Sequence, residues 1–301
     1  MIKPLLILGL MLWSGNALAA SCDRACLKST LDEYLAAVVK HDRTAAPLGL
    51  AFRQTENAIV VPPGAGLWKS MTAVGKLDRR YFDTTTEQAG YFGTIEEAAG
   101  PAIVTLRLRV EDRKITEAEW VISRKGDPGL GPLGGEQAEA AFHNPDYLLA
   151  HPPAESGLKG GRPTRSELVA IANSYFDGLS AHDGRIIQAQ PGCVRIENGA
   201  LTTQRPIPTG GQTDCTAEGA MRNIYAVTAR RYPIVDEEAG VVLALVLFQR
   251  KPSVDMRRNL LAEWFYVDAG KIRTIYAAMY YPPAEAMAPN WPPYDGNWAP
   301  K

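Results

Sequence analysis

The residues that invite chemistry in this sequence are carboxylates set among aromatic rings. In the first half, Glu56, Asp83 and Glu87 stand near Trp68, Tyr81 and Tyr91, with Gly64-Ala65-Gly66 leading into Trp68. In the second half, Tyr225, Arg231, Tyr232, Glu263 and Tyr276 form an alternative set. A carboxylate can take a proton while a tyrosine stabilises charge by hydrogen bonding, so such groups suit proton transfer on a flat hydrophobic molecule. The arginine suits a ligand with a carboxylate. Glu56 and Asp83 are therefore the candidate bases, and Trp68, Tyr81, Glu87, Tyr91, Tyr225, Arg231 and Tyr232 the candidate ligand contacts. The competing reading makes the tyrosines core or rim residues and Arg53–Glu56 and Arg195–Glu197 structural ion pairs. Residues two apart in a strand share a face, which holds for Arg195 and Glu197, whereas Arg53 and Glu56 need a bulge to meet.

Other signatures carry little. His41-Asp42 and His182-Asp183 are chain neighbours that cannot face each other on a helix, so Asp42 and Asp183 read as caps that end one helix and start the next. Gly129-x-Gly131-x-x-Gly134 follows Pro128 and contains Pro132, which is no way to enter a dinucleotide loop from a strand. No Gly-x-Ser-x-Gly elbow occurs, and the four histidines lack metal-ligand spacing. No metal and no cofactor is expected.

The elements that must position these groups come in two copies. Tyr34, His41 and Asp42 recur in order and at one constant separation as Tyr175, His182 and Asp183. Glu56-Asn57 recurs as Glu197-Asn198, Arg79-Arg80-Tyr81 as Arg230-Arg231-Tyr232, and Lys114-Ile115 as Lys271-Ile272. A repeat this long is a duplicated domain and not a solenoid unit. Each copy opens with an amphipathic helix, one through Leu27, Leu31, Tyr34, Leu35 and Val38, the other through Leu168, Ile171, Tyr175, Phe176 and Leu179. Strand-like segments follow at 102–110, 115–123, 241–249, 260–268 and 271–280. The fold class expected is α+β, with domains at 20–125 and 164–283, a Gly/Pro-rich linker at 126–163 and a Pro/Trp-rich tail at 284–301.

The 301 residues are 46% hydrophobic and 22% charged with a formal net charge of -1, which excludes a disordered chain and makes nucleic acid a poor partner. Residues 1–19 read as a cleaved signal peptide: Lys3, the apolar run Leu5 to Trp13, then Ala17-Leu18-Ala19. That run is too short to span a membrane, and Val241 to Phe248 suits a buried strand better. Ala19 stands where a lipoprotein signal wants Leu before Cys22, so lipidation is the minor alternative. Four cysteines allow three pairings, of which proximity favours Cys22–Cys26 and Cys193–Cys215. A periplasmic or secreted location is expected.

The order of elements, with His-Asp after the first helix and Glu-Asn-Gly in the first hairpin, resembles the nuclear-transport-factor-2-like (NTF2-like) superfamily, which includes SnoaL-like cyclases. More narrowly, Cys22-Asp23-Arg24-Ala25-Cys26-Leu27, Gly66-Leu67-Trp68, Glu197-Asn198-Gly199, Arg230-Arg231-Tyr232-Pro233 and Val235-Asp236-Glu237-Glu238 resemble an uncharacterised secreted family of bacteria and fungi. The resemblance implies two tandem cones, each a curved antiparallel sheet closed by N-terminal helices around an apolar pocket. In such a pocket carboxylates are desolvated and their pKa values move towards those useful for proton transfer. The function expected is binding of a small hydrophobic ligand or an accessory role. The alternative is a cofactor-independent lyase, isomerase or dehydratase acting on an aromatic or polyketide-like substrate.

Overall fold

The structure, a computed structural model, describes residues 21–62, 64–127, 143–156, 160–203, 214–216, 224–250 and 258–282. The signal segment 1–19 and the tail 284–301 lie outside them. The first apolar stripe folds as α1 (Arg24–Val39), whose first turn is capped by Asp23 accepting from Cys26 N. Then come β1 (Leu48–Glu56), β2 (Ile59–Val61), the single turn α2 (Leu67–Ser70), β3 (Met71–Asp83), β4 (Gln88–Glu97), β5 (Gly100–Glu111) and β6 (Lys114–Ser123). The linker contributes α3 (Pro145–Ala150). The second half repeats the plan with α4 (Arg165–Ala181), β7 (Ala189–Glu197), β8 (Ala200–Leu201), β9 (Ile224–Asp236), β10 (Val241–Arg250), β11 (Asn259–Asp268) and β12 (Lys271–Tyr280). A capping box between Thr164 and Glu167 starts α4.

The two sheets run in the same order, β2-β1-β6-β5-β4-β3 and β8-β7-β12-β11-β10-β9. In each, one pair is parallel, β1 with β6 and β7 with β12, and the other neighbours are antiparallel. The helix ends match too. His41 and His182 both turn left-handed at φ 56°, after which Asp42 and Asp183 cap a short 3-10 turn, accepting from Thr44 N and Arg185 N. The architecture is mixed α+β, with two curved six-stranded sheets that fit a two-domain arrangement.

Each sheet has its helix on one face and the other sheet on the opposite face. Tyr81, Phe92 and Val121 of the first sheet pack with Leu243, Trp264 and Tyr266 of the second. The approach is close enough that a Cβ on Gly90 would lie 2.5 Å from Ile234 Cδ1 and from the Trp264 ring. All of β11 is buried as a result, odd residues towards α4 and even residues towards the first half. Helix α3 puts Leu148 into the same contact, and the linker carbonyls of Pro153 and His151 accept from Arg79 Nε and Tyr276 Oη.

Charged groups cross this contact in pairs. Arg24, at the start of α1, binds Asp236 with both terminal nitrogens at 3.0 Å, and Arg165, at the start of α4, binds Asp83 at 2.9 and 2.6 Å. The same carboxylates accept from the backbone of the opposite sheet, Asp236 from Phe82 N and Asp83 from Val235 N. The exchange is reciprocal, as a duplicated unit packed face to face requires. Between them lies a buried cluster in which Glu119 is held by Arg107 at 2.9 Å and by Arg231 through both carboxylate oxygens.

Both disulfides form between near neighbours, Cys22–Cys26 and Cys193–Cys215. They are compatible with an extracellular protein. Among the described residues no helix is long and apolar enough to cross a membrane. Replacing Cys193 and Cys215 together by Ala is expected to cost about 3 kcal/mol, because the bridge closes a loop across a separation of 22 residues. Urea unfolding under non-reducing conditions would show it. A loss below about 1 kcal/mol would mean the loop is restrained by other contacts.

Candidate functional site

The inner faces of the two sheets can be compared through strand register. In the first half, Glu56 pairs with Trp120, Trp120 with Leu106, and Leu106 with Tyr91, giving one lateral row across β1, β6, β5 and β4. In the second half the same row reads Glu197, Ala277, Glu263, Ala244 across β7, β12, β11 and β10. One register position over, Gln54 and Arg195 correspond, opposite Ala118 and Ile275. Gln54, and not Arg53, is therefore the counterpart of Arg195. Above both rows stands the repeated helix tyrosine, Tyr34 or Tyr175, each fully buried.

In the first half this inner face is complete. Trp120 Nε1 donates to Tyr34 Oη at 3.2 Å, Tyr34 donates to Gln54 Oε1 at 3.0 Å, and Trp68 Nε1 donates to the same oxygen at 2.7 Å. Gln54 Nε2 donates to Glu56 Oε1 at 2.9 Å, and that oxygen also accepts from Leu67 N at 2.8 Å. Glu56 thus ties α2 to the sheet. Burial pushes its pKa up, and the bonds from Leu67 and Gln54 oppose the rise.

The second half is built differently at the same positions. Arg195 donates through Nη1 to Tyr175 Oη and through Nε to Thr202 Oγ1 at 2.9 Å, and its Nε lies 3.4 Å from Glu197 Oε1. Glu263 comes from the middle of β11, between Leu261 and Phe265, which face α4 with it. It is wholly buried, and neither of its carboxylate oxygens has a hydrogen-bond partner among the described residues. Burial pushes its pKa well above the ordinary carboxyl value, the Glu197 carboxylate adds to the rise, and Arg195 offsets part of it. An unpaired buried polar group of this kind is rare in folded proteins and costs stability.

The residues singled out from sequence are spread over three places. Glu56 and Trp68 belong to the completed network of the first half, and Tyr91 donates within its own sheet to Thr94 O at 2.7 Å. Asp83, Tyr81 and Arg231 sit in the contact between halves, where Asp83 holds Arg165, Arg231 holds Glu119, and Tyr81 shares a hydrogen bond with Tyr266. Glu87 accepts from Cys22 N at 3.1 Å at the β3–β4 turn. Tyr225 is 66% exposed. Tyr232 faces inward in the second half and donates to Asn173 Oδ1 at 2.6 Å. Asp83 accepts from Arg165 and from the backbone of Val235, Thr85 and Thr86. Of the sequence candidates, Glu263 alone combines burial with unused oxygens. Its signal was a carboxylate in the middle of the apolar run Leu260 to Val267.

Two surface grooves lie elsewhere. One, of about 470 Å³, opens beside Gly160, Pro163 and Ala269; the other, of about 410 Å³, runs between the halves beside Arg24, Phe82 and Glu238. In the second, Arg24 and Asp236 already bind each other. Among the described residues no group of three or more His, Cys, Asp or Glu could hold a metal ion.

Residues 161–279 match a family described as a domain of unknown function, DUF8021. The match supports an uncharacterised domain family over the second half, from the entry to α4 to the penultimate residue of β12. It contains the whole Glu197–Ala277–Glu263–Ala244 row. No curated protein matches the chain.

Proposed function

We propose that the protein is an exported binder of a small molecule, and that its binding site is the inner face of the second half, with Glu263 presented to the ligand. The observation that carries this is the buried carboxyl with both oxygens unused, set in a row where its lateral neighbours are Ala244 and Ala277. A folded protein keeps such a costly group when a ligand completes its hydrogen bonds. The first half, whose corresponding groups satisfy each other, is then a structural partner that covers the outer face of the working sheet. Each half is read as an NTF2-like cone, and the signal peptide as the export device. Cofactor-independent acid–base chemistry, as in a lyase or isomerase, is the second reading. It is favoured by Glu263 and Glu197 flanking Ala277 on one face, of which only Glu197 has an arginine beside it. A carboxyl with a raised pKa beside a paired carboxylate is the arrangement that divides acid and base roles between two groups.

The test is mass spectrometry of small molecules retained by the purified chain, compared between wild type, Glu263→Gln and Glu56→Gln. Wild type and Glu56→Gln are expected to retain the same molecule and Glu263→Gln to lose it. Retention by Glu263→Gln with loss from Glu56→Gln would move the site to the first half and end this assignment. Conversion of the retained molecule on prolonged incubation would select the enzymatic reading.

A further inference from the structure

The two halves differ most in side-chain size along this lateral row. At the position of Ala277 the first half carries Trp120, and at the position of Ala244 it carries Tyr91. The Trp120 indole lies against Tyr34, with ring centroids 6.3 Å apart, and turns its N–H to the tyrosine oxygen. The second half keeps the tyrosine, as Tyr175, and keeps a polar residue at the Gln54 position, as Arg195, but has a methyl group where the indole stands. It also exchanges Leu106 for Glu263. The rings that do meet Tyr175 are Phe176 and Phe265, the latter two residues further along β11, so aromatic packing against the tyrosine is supplied away from Glu263.

We infer that the second half binds a neutral, planar aromatic molecule of about indole size, bearing an N–H or O–H at its edge, in the place corresponding to Trp120. The inference rests on the reading above and names the ligand class. Flat shape follows from the indole that the paired fold accommodates at the same register. The edge N–H or O–H follows from the two unused oxygens of Glu263, which call for a donor. Neutrality follows from charge. Glu197 faces the site paired with Arg195, which also donates to Tyr175 and Thr202, so an anionic ligand would meet a carboxylate and a committed cation.

The experiment is saturation-transfer NMR and calorimetry on the full chain with indole, naphthol and naphthoate. Indole and naphthol are expected to bind, with naphthoate at least about tenfold weaker. Ala277→Trp is expected to fold and to lose both neutral ligands, since it restores the side chain of the first half. Failure of indole and naphthol to bind, equal binding of naphthoate, or wild-type binding by Ala277→Trp would each overturn the inference. If Ala277→Trp does not fold, Ala277→Leu replaces it, and undiminished binding there overturns the inference equally. A retained molecule that depends on Glu263 but has no aromatic ring would defeat this ligand class and leave the binding site standing.

Discussion

Arg231→Ala is expected to lower the unfolding free energy by about 3–5 kcal/mol, the usual cost of stranding one member of a buried charge pair. Arg231, Glu119 and Arg107 are 3%, 2% and 1% exposed, and they sit where the two sheets meet. Arg231 supplies hydrogen bonds to both oxygens of Glu119, whereas Arg107 divides its donors among Glu119, Glu117 and Gln88. With Arg231 removed, Glu119 keeps Arg107, a shared partner, in a buried site. Burial by itself would raise the Glu119 pKa, but Arg231 and Arg107 outweigh it and hold the group below its ordinary value. A lowered folded-state pKa gives stability that is fully present above the unfolded value of about 4.3 and is lost as pH falls through the folded value. The gap between wild type and Arg231→Ala should therefore narrow on acidification. Urea melts across the acid range measure both effects. A neutral-pH loss under about 1 kcal/mol, or a gap that widens in acid, would refute this account of how the halves are joined.

Glu263→Leu should act in the opposite direction. The substitution installs the residue that the first half carries at this register, Leu106, and removes a buried carboxyl without a hydrogen-bond partner among the described residues. A stability gain of about 1–3 kcal/mol is expected at neutral pH, the desolvation cost of an unsatisfied buried polar group, together with loss of ligand. The pH dependence has the reverse sign to that of Glu119. Burial and the Glu197 charge raise the folded-state pKa of Glu263, so its contribution is most favourable below the unfolded value and is lost as pH rises through the folded one. The stabilisation by Leu should grow from acid towards alkaline pH. Thermal melts of the two proteins over that range decide it; a Leu variant less stable than wild type at neutral pH would show that Glu263 is paired and structural.

These two residues mark the boundary of what could be read beforehand. The strand at 260–268 is legible in the sequence, with Glu263 in its middle, but a run this apolar does not show which residues share a face with what. Where both faces are buried, as along all of β11, hydrophobicity cannot tell which face meets the helix and which meets the other sheet. Tyr81, Asp83 and Arg231 were read as pocket residues for that reason, and the structure places them between the halves. Arg53 and Arg195 share a residue type but not a register position: the separation that relates Glu56 to Glu197 relates Gln54 to Arg195.

The amino-acid sequence by itself determined the duplication, the two leading helices, the strand segments and the caps at Asp42 and Asp183, and it favoured the near-neighbour pairing of cysteines, since each depends on local spacing or local chain entropy. The tertiary structure alone decided that the sheets meet through their outer faces, that Asp83 and Asp236 are held by arginines of the opposite half, and that, among the described residues, Glu263 has no hydrogen-bond partner while Glu56 has two. Those facts depend on groups far apart in the chain, and a carboxylate's role is set by what surrounds it after folding.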